Sequence, residues 1–311
     1  RIKWLALAAG GASYALAWGF LLIVLVPANR MPLVRAFPDD MQQLNWKTGG
    51  VRLSGYDLPK GITLGLGDHL TVRLYWTALD EMEETLVTAV QLSALADPQV
   101  VLAQTDHLTG GTVYPTTEWR IGDRIAQDVR LRLPDEGGMA GVYLVRVALR
   151  PYDAFTQQPR LTLTGPDGAT EQLVTLDQPV RVLPPVENAR QAVEAPFGEA
   201  LILRGWSVRA TEEGQQIDLI WQVTGTTPVN ATVFVHAFGR DGALLAQHDS
   251  VPVNGNFPAW AWQIGDEFID GHLLPLPSLE GARVLVGLYD PATGERFAVP
   301  DSVDGTYELI P

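Results

Sequence analysis

Residues 103–123 read AQTDHLTGGTVYPTTEWRIGD, and residues 246–266 read AQHDSVPVNGNFPAWAWQIGD. Gln104/Gln247, Asp106/Asp249, Pro115/Pro258, Trp119/Trp262, Gly122/Gly265 and Asp123/Asp266 keep an offset of 143 without a gap. Other stretches match around them: LSGYDL (53–58) with LRGWSV (203–208), and LTVRLYW (70–76) with QQIDLIW (215–221). VYLVRVALRPYDAFTQQPRL matches ARVLVGLYDPATGERFAV, with Pro151 over Pro291. The offsets run 150, 145, 143 and 140, so the same order of segments returns with shorter loops. A repeat of about 130–140 residues is a domain-sized duplication. Whatever one copy folds into, the other must fold into as well.

The repeated segments alternate with period two. In HLTVRLYW, Leu70, Val72, Leu74 and Trp76 form one face and Thr71, Arg73 and Tyr75 the other. QDVRLRL turns Val129, Leu131 and Leu133 inward and Arg130 and Arg132 outward, and VYLVRVALR does the same with Val145, Val147 and Leu149. Short strands at about 8–15-residue spacing, broken by glycine and proline, predict an antiparallel sandwich. The expected fold is all-β: two tandem antiparallel β-sandwich domains of Ig-like or jelly-roll-like type, over 51–183 and 200–311. Residues 184–199, opening on Pro184-Pro185, read as a linker with a short helical turn, and 28–50 as a connector without steady periodicity.

The N-terminal segment reads differently. Trp4–Pro27 carries no charge over 24 residues, which at about 1.5 Å per residue suffices to cross a hydrocarbon core as one helix. A single transmembrane α-helix is therefore expected over 1–27. Its small residues Ala8, Gly11, Ala12 and Ala15 stand four apart and suit close packing against another helix. The expected arrangement is a membrane crossed once, with the C-terminal domains outside. Arg1, Lys3, Arg30 and Arg35 precede the first acid, Asp39; the remainder holds 18 basic against 36 acidic side chains, a net −18. That surface repels phosphate backbones and argues against nucleic acid.

The string GYDL…LTVRLYW…VFVH…DG…LAQHDS…G…P…W…GD…LP…VGLYDPATGERF resembles the extracytoplasmic β-sandwich module of certain bacterial membrane proteins. These are mostly polytopic glycosyltransferases of the dolichyl-phosphate-mannose–mannosyltransferase type, in which the module follows the last membrane helix. The likeness covers 51–311 and is strongest at 231–297. It implies topology and fold, and with them an expected location in a bacterial cytoplasmic membrane. It supplies no catalytic residue, because those enzymes keep their catalytic acids in an early loop between membrane helices, outside the matched residues.

Little in the sequence announces chemistry. There is no cysteine, which removes thiolate catalysis, disulfides and cysteine-based metal sites. Phosphate-loop, H-E-x-x-H and G-x-S-x-G motifs are absent. His69, His107, His236, His248 and His272 are scattered, and His107 and His248 do not fall at equivalent positions of the repeat. The acids of LDEMEET (79–85) read as a solvated hairpin tip, DPATG (290–294) as a turn, and Asn230-Ala231-Thr232 as a chance sequon. No cofactor and no metal is expected, and no enzyme activity.

Two readings compete for the repeated motif. Trp119 and Trp262 could be platforms for a sugar ring. Alternatively, Trp119, Gly122 and Asp123, with Trp262, Gly265 and Asp266, form a loop brace: Trp and Ile anchor to the core, Gly permits a positive φ, and Asp binds free N–H groups. The brace explains better why these residues persist in both copies. Phe257 falls over Tyr114, but Trp260 falls over Thr117 and is new to the second copy. Trp260 and Phe257 are thus the candidate partner contacts. The expected function is that of a non-enzymatic, membrane-anchored accessory or structural subunit. It would meet lipid bilayer and other membrane-protein subunits through its helix and outer face, with glycan as a further ligand. The alternative is a glycan-binding C-terminal module of a membrane glycosyltransferase whose catalytic part lies outside this chain.

Overall fold

The computed structural model describes residues 31–153, 157–186 and 191–309, which are built almost entirely of strand. One sheet orders its strands β10 (Thr170–Glu171), β9 (Leu163–Thr164), β1 (Gln42–Thr48), β2 (Val51–Asp57), β4 (His69–Ala78) and β7 (Arg124–Arg132). A second sheet faces it with β3 (Thr63–Leu64), β11 (Val174–Val182), β8 (Gly141–Pro151), β5 (Leu86–Ala94) and β6 (Val101–Leu108). The second half has a sheet of β12 (Gln191–Phe197), β13 (Leu201–Ala210), β14 (Gln215–Val223) and β17 (Glu267–Leu274). Its partner holds β16 (Leu244–Ser250), β15 (Thr232–Phe238), β18 (Arg283–Tyr289) and β19 (Thr306–Leu309). The orders β1-β2-β4-β7 and β12-β13-β14-β17 correspond, as do β6-β5-β8-β11 and β16-β15-β18-β19. The duplication is thus a repeated β-sandwich, to which the first copy adds β3, β9 and β10.

Alternation decides which side chains enter the cores. Leu70, Val72, Leu74 and Trp76 are fully buried, as are Val129, Leu131 and Leu133. Even the irregularities repeat. The register slips between Leu53 and Gly55 opposite β4, and between Leu203 and Gly205 opposite β14. A side chain at Gly55 would stand 2.6 Å from the Gln42 carbonyl oxygen, so this bulge needs glycine.

Three features differ from the sequence reading. Strand β1 lies in the stretch read as connector, and β12 lies in the stretch read as linker. The transmembrane helix preceding the sandwiches is a correction: no helix among the described residues is long and apolar enough to cross a membrane. Period-two alternation broken by glycine and proline leaves no room for such a run there. The expected span 1–27, with Ala8, Gly11, Ala12 and Ala15, lies outside the described residues. The fold is all-β.

Candidate functional site

The repeated motif is the crossing from one sheet of each sandwich to the other, between β6 and β7 and between β16 and β17. Pro115 and Pro258 start a single 3-10 turn, Thr116–Glu118 or Ala259–Ala261, and Trp119 or Trp262 closes it. Each indole is buried and donates from Nε1 to a backbone oxygen: Trp119 to Tyr114 at 2.9 Å, Trp262 to Phe257 at 3.0 Å. Neither ring is available as a sugar platform. Gly122 and Gly265 turn at φ +89 and +95. Asp123 accepts from the Arg120 N–H at 2.8 Å, and Asp266 from the Gln263 N–H at 2.7 Å. These six residues form the brace in both copies. The isoleucines do not join it, since Ile121 and Ile264 are 65% and 71% exposed.

The second brace also joins the two sandwiches. In the first, the Tyr114 hydroxyl donates to Asp123 at 2.6 Å. Burial, then that hydrogen bond, push the hydroxyl up to about 12. Phe257 has no hydroxyl, and Arg181 from β11 of the first sandwich reaches Asp266 in its place. Both side chains of this ion pair are nearly buried, and the guanidinium lies 5.9 Å from the centre of the Phe257 ring. Beside it, Asn256 accepts from the Leu95 N–H at 2.9 Å, and its backbone oxygen accepts from Val142 at 2.7 Å. Ala140 and Val142 of the first sandwich belong to the core of the second. Phe257 is fully buried in this seam, so the partner contact expected of it is corrected to a contact within the chain. Trp260 is 63% exposed.

A crevice of about 450 Å³ opens at the seam over the outer face of β14 and β17. Met139 of the first sandwich and Pro184 and Pro185 of the segment that follows it wall it on one side, and Asp218, His248 and Val253 of the second sandwich on the other. The corresponding crevice of the first sandwich is larger, about 850 Å³, and is lined by residues 31–34 together with Arg73 and Asp128. The two crevices differ in what stands behind them. In the first, Gln127 accepts from Trp76 Nε1 at 3.0 Å and from the Gly110 N–H at 3.4 Å. At the offset of 143, Gln127 becomes Asp270, Val129 becomes His272, Thr105 becomes His248 and Gly110 becomes Val253.

Asp270 and His272 have no solvent exposure. Asp270 accepts from the Val253 N–H at 2.7 Å and pairs with His272 Nε2 at 2.9 Å, while His272 Nδ1 meets His248 Nδ1 at 2.9 Å. Burial first, and then the neighbouring His272, lower the His248 pKa below its usual 6.5. The exchange has structural costs. Trp221, the counterpart of Trp76, has its indole N–H buried without a partner. Val253 sits at φ 57, a region a β-branched residue rarely adopts. Among the described residues, no group of three side chains is arranged to hold a metal ion.

Sequence reasoning passed over Arg181, Asn256 and this Asp–His–His chain. The signal for the chain was present. Phe268, Asp270, His272 and Leu274 alternate along β17 as its inward row, so two polar residues stood where the first copy has Gln127 and Val129. Arg181 and Asn256 gave no such sign, because their partners lie 85 and 161 positions away. No protein-family model matches the chain, and no curated protein matches it.

Proposed function

We propose that this chain is a non-enzymatic accessory subunit of a larger protein assembly, and that its second sandwich carries the principal partner contact. The supporting observation is Trp260. It is 63% exposed, while Phe257 and Trp262 on the same loop are buried. The equivalent loop of the first copy folds identically with Thr117 in that place. The fold therefore does not need the indole, and an exposed tryptophan on a braced loop is the kind of side chain that anchors protein interfaces. Ile264, on the same loop, is also exposed.

The reading is tested by photo-crosslinking in the source cells. A photoreactive phenylalanine analogue at position 260 is expected to give one discrete protein adduct, and the same analogue at position 117 none. Equal yields at both positions, or no adduct at 260, would overturn it.

A further inference from the structure

We infer that the seam crevice is a binding site for a neutral, hydroxyl-bearing small molecule, held through a hydrogen bond to Nε2 of His248. The site is separate from the Trp260 surface and does not rest on it.

The protons of the buried chain can be placed from its partners. With Asp270 taken as the carboxylate and His272 as the neutral imidazole, His272 carries its proton on Nε2 and leaves Nδ1 as a lone pair. His248 Nδ1, 2.9 Å from that lone pair, must then carry a proton. Its Nε2 is left bare, as an acceptor. A buried carboxylate that fixes a histidine tautomer through the opposite ring nitrogen is a device for aiming a lone pair. No hydroxyl or other nucleophile of the described residues bonds to this Nε2, so the arrangement lacks a group for His248 to activate.

The duplication supplies an internal control. Gln127 and Val129 occupy the same two places in the first sandwich, where Gln127 satisfies Trp76, and the fold is the same. The second copy has an unpartnered Trp221 N–H, a buried carboxylate and a strained Val253 instead. Departures from local rules that bring no structural gain are expected at functional sites.

The lining indicates the ligand class. The crevice is also lined by Asp218, which accepts from Gln216 Nε2 at 2.9 Å, and by Arg209, whose Nε lies 3.5 Å from Asp218. Acid and base cancel, so the crevice favours neither an anion nor a cation. Acceptors and donors are mixed, as hydroxyl groups require, and the prolines offer flat apolar surface to C–H groups. A volume of about 450 Å³ suits a molecule of one or two sugar rings.

The test uses the full chain labelled with ¹⁵N-histidine. In the free protein at pH 7.5, long-range proton–nitrogen spectra are expected to show His248 protonated on Nδ1 and bare on Nε2. Titration with maltose, cellobiose, trehalose and myo-inositol is then expected to shift the Nε2 resonance saturably with at least one probe. Binding should weaken by about tenfold or more in His248→Gln and in Asp218→Ala, each checked for an unchanged amide spectrum. The double substitution Asp270→Gln/His272→Val restores the first-copy residues. It should leave the chain folded but release His248 to the Nε2–H tautomer, with a similar loss. Trp260→Ala should bind as the unaltered chain does. A proton on His248 Nε2 in the free protein, or no shift with any probe at about 50 mM, would overturn the proposal.

Discussion

Tyr114 and Phe257 hold the same place in the two sandwiches and differ by one oxygen atom. In the first, that oxygen satisfies Asp123 from within its own domain. In the second its absence leaves Asp266 open to Arg181, and the brace of one domain becomes the lock between two. The same structural device thus carries a second task in the copy that lacks the hydroxyl. The largest expected effect follows from this contrast. Asp266→Ala leaves the Arg181 guanidinium buried without its counter-charge and should cost about 3–5 kcal/mol in urea unfolding. Asp123→Ala leaves only neutral donors without their acceptor and should cost about 1–3 kcal/mol. Arg181→Leu should be partly rescued by Phe257→Tyr, which returns the first-copy hydroxyl. Equal costs for the two aspartates would break the comparison.

That contrast also marks how far the sequence could be read. Period-two alternation placed Leu70 to Trp76 and Val129 to Leu133 inward, because burial on one face of a sheet leaves a local signature. The offset of 143 located both braces, because Trp, Gly and Asp serve the same local hydrogen bonds twice. Strand β1 escaped because its burial alternates only between half-buried and exposed, which blurs the pattern. Arg181 and Asn256 escaped for a different reason. A contact between domains leaves no local periodicity, and the acidic surface gives a lone arginine no distinguishing context. The histidines could have been found. Scattered along the chain, they gain meaning only when each is set over its counterpart in the other copy.

The second prediction sharpens the contrast between the two cores. His272→Val alone leaves one oxygen of the fully buried Asp270 without its partner and should destabilise the chain by about 2–4 kcal/mol. Adding Asp270→Gln should recover the loss to within about 1 kcal/mol of the unaltered chain, or exceed it. A glutamine there can take the Trp221 N–H, as Gln127 takes that of Trp76. Failure of the double variant to recover would mean that the Asp–His–His chain is needed for the fold itself, and the equivalence of the two cores would not hold.

A smaller effect is expected at the turn that Asp270 holds. At an ordinary buried valine, replacement by glycine is worse than replacement by alanine. Val253 should reverse that order, because glycine relieves its positive φ while alanine loses packing and keeps the strain. Val253→Gly is expected within about 1 kcal/mol of the unaltered chain and above Val253→Ala. The counterpart behaves oppositely. A side chain at Gly110 would meet the Tyr114 carbonyl oxygen at 2.3 Å, so Gly110→Ala should destabilise clearly.

The smallest effect is the pH dependence that His248 imposes on stability. Its folded pKa lies below the unfolded value, through burial and the neighbouring His272, against which Asp270 and Asp249 pull weakly upward. The unfolded chain is then the better proton acceptor at this residue, and stability rises with pH wherever only the unfolded state is protonated. Acidification from about pH 6.5 should therefore erode stability until the folded imidazole titrates as well. The slope of the urea midpoint against pH, measured between about pH 7 and 5, should be shallower in His248→Gln than in the unaltered chain. Thr105, at the equivalent place in the first copy, has nothing to titrate, so no such slope can arise at that position. A slope unchanged by His248→Gln would assign the acid sensitivity elsewhere and remove the electrostatic distinction between the two crevices.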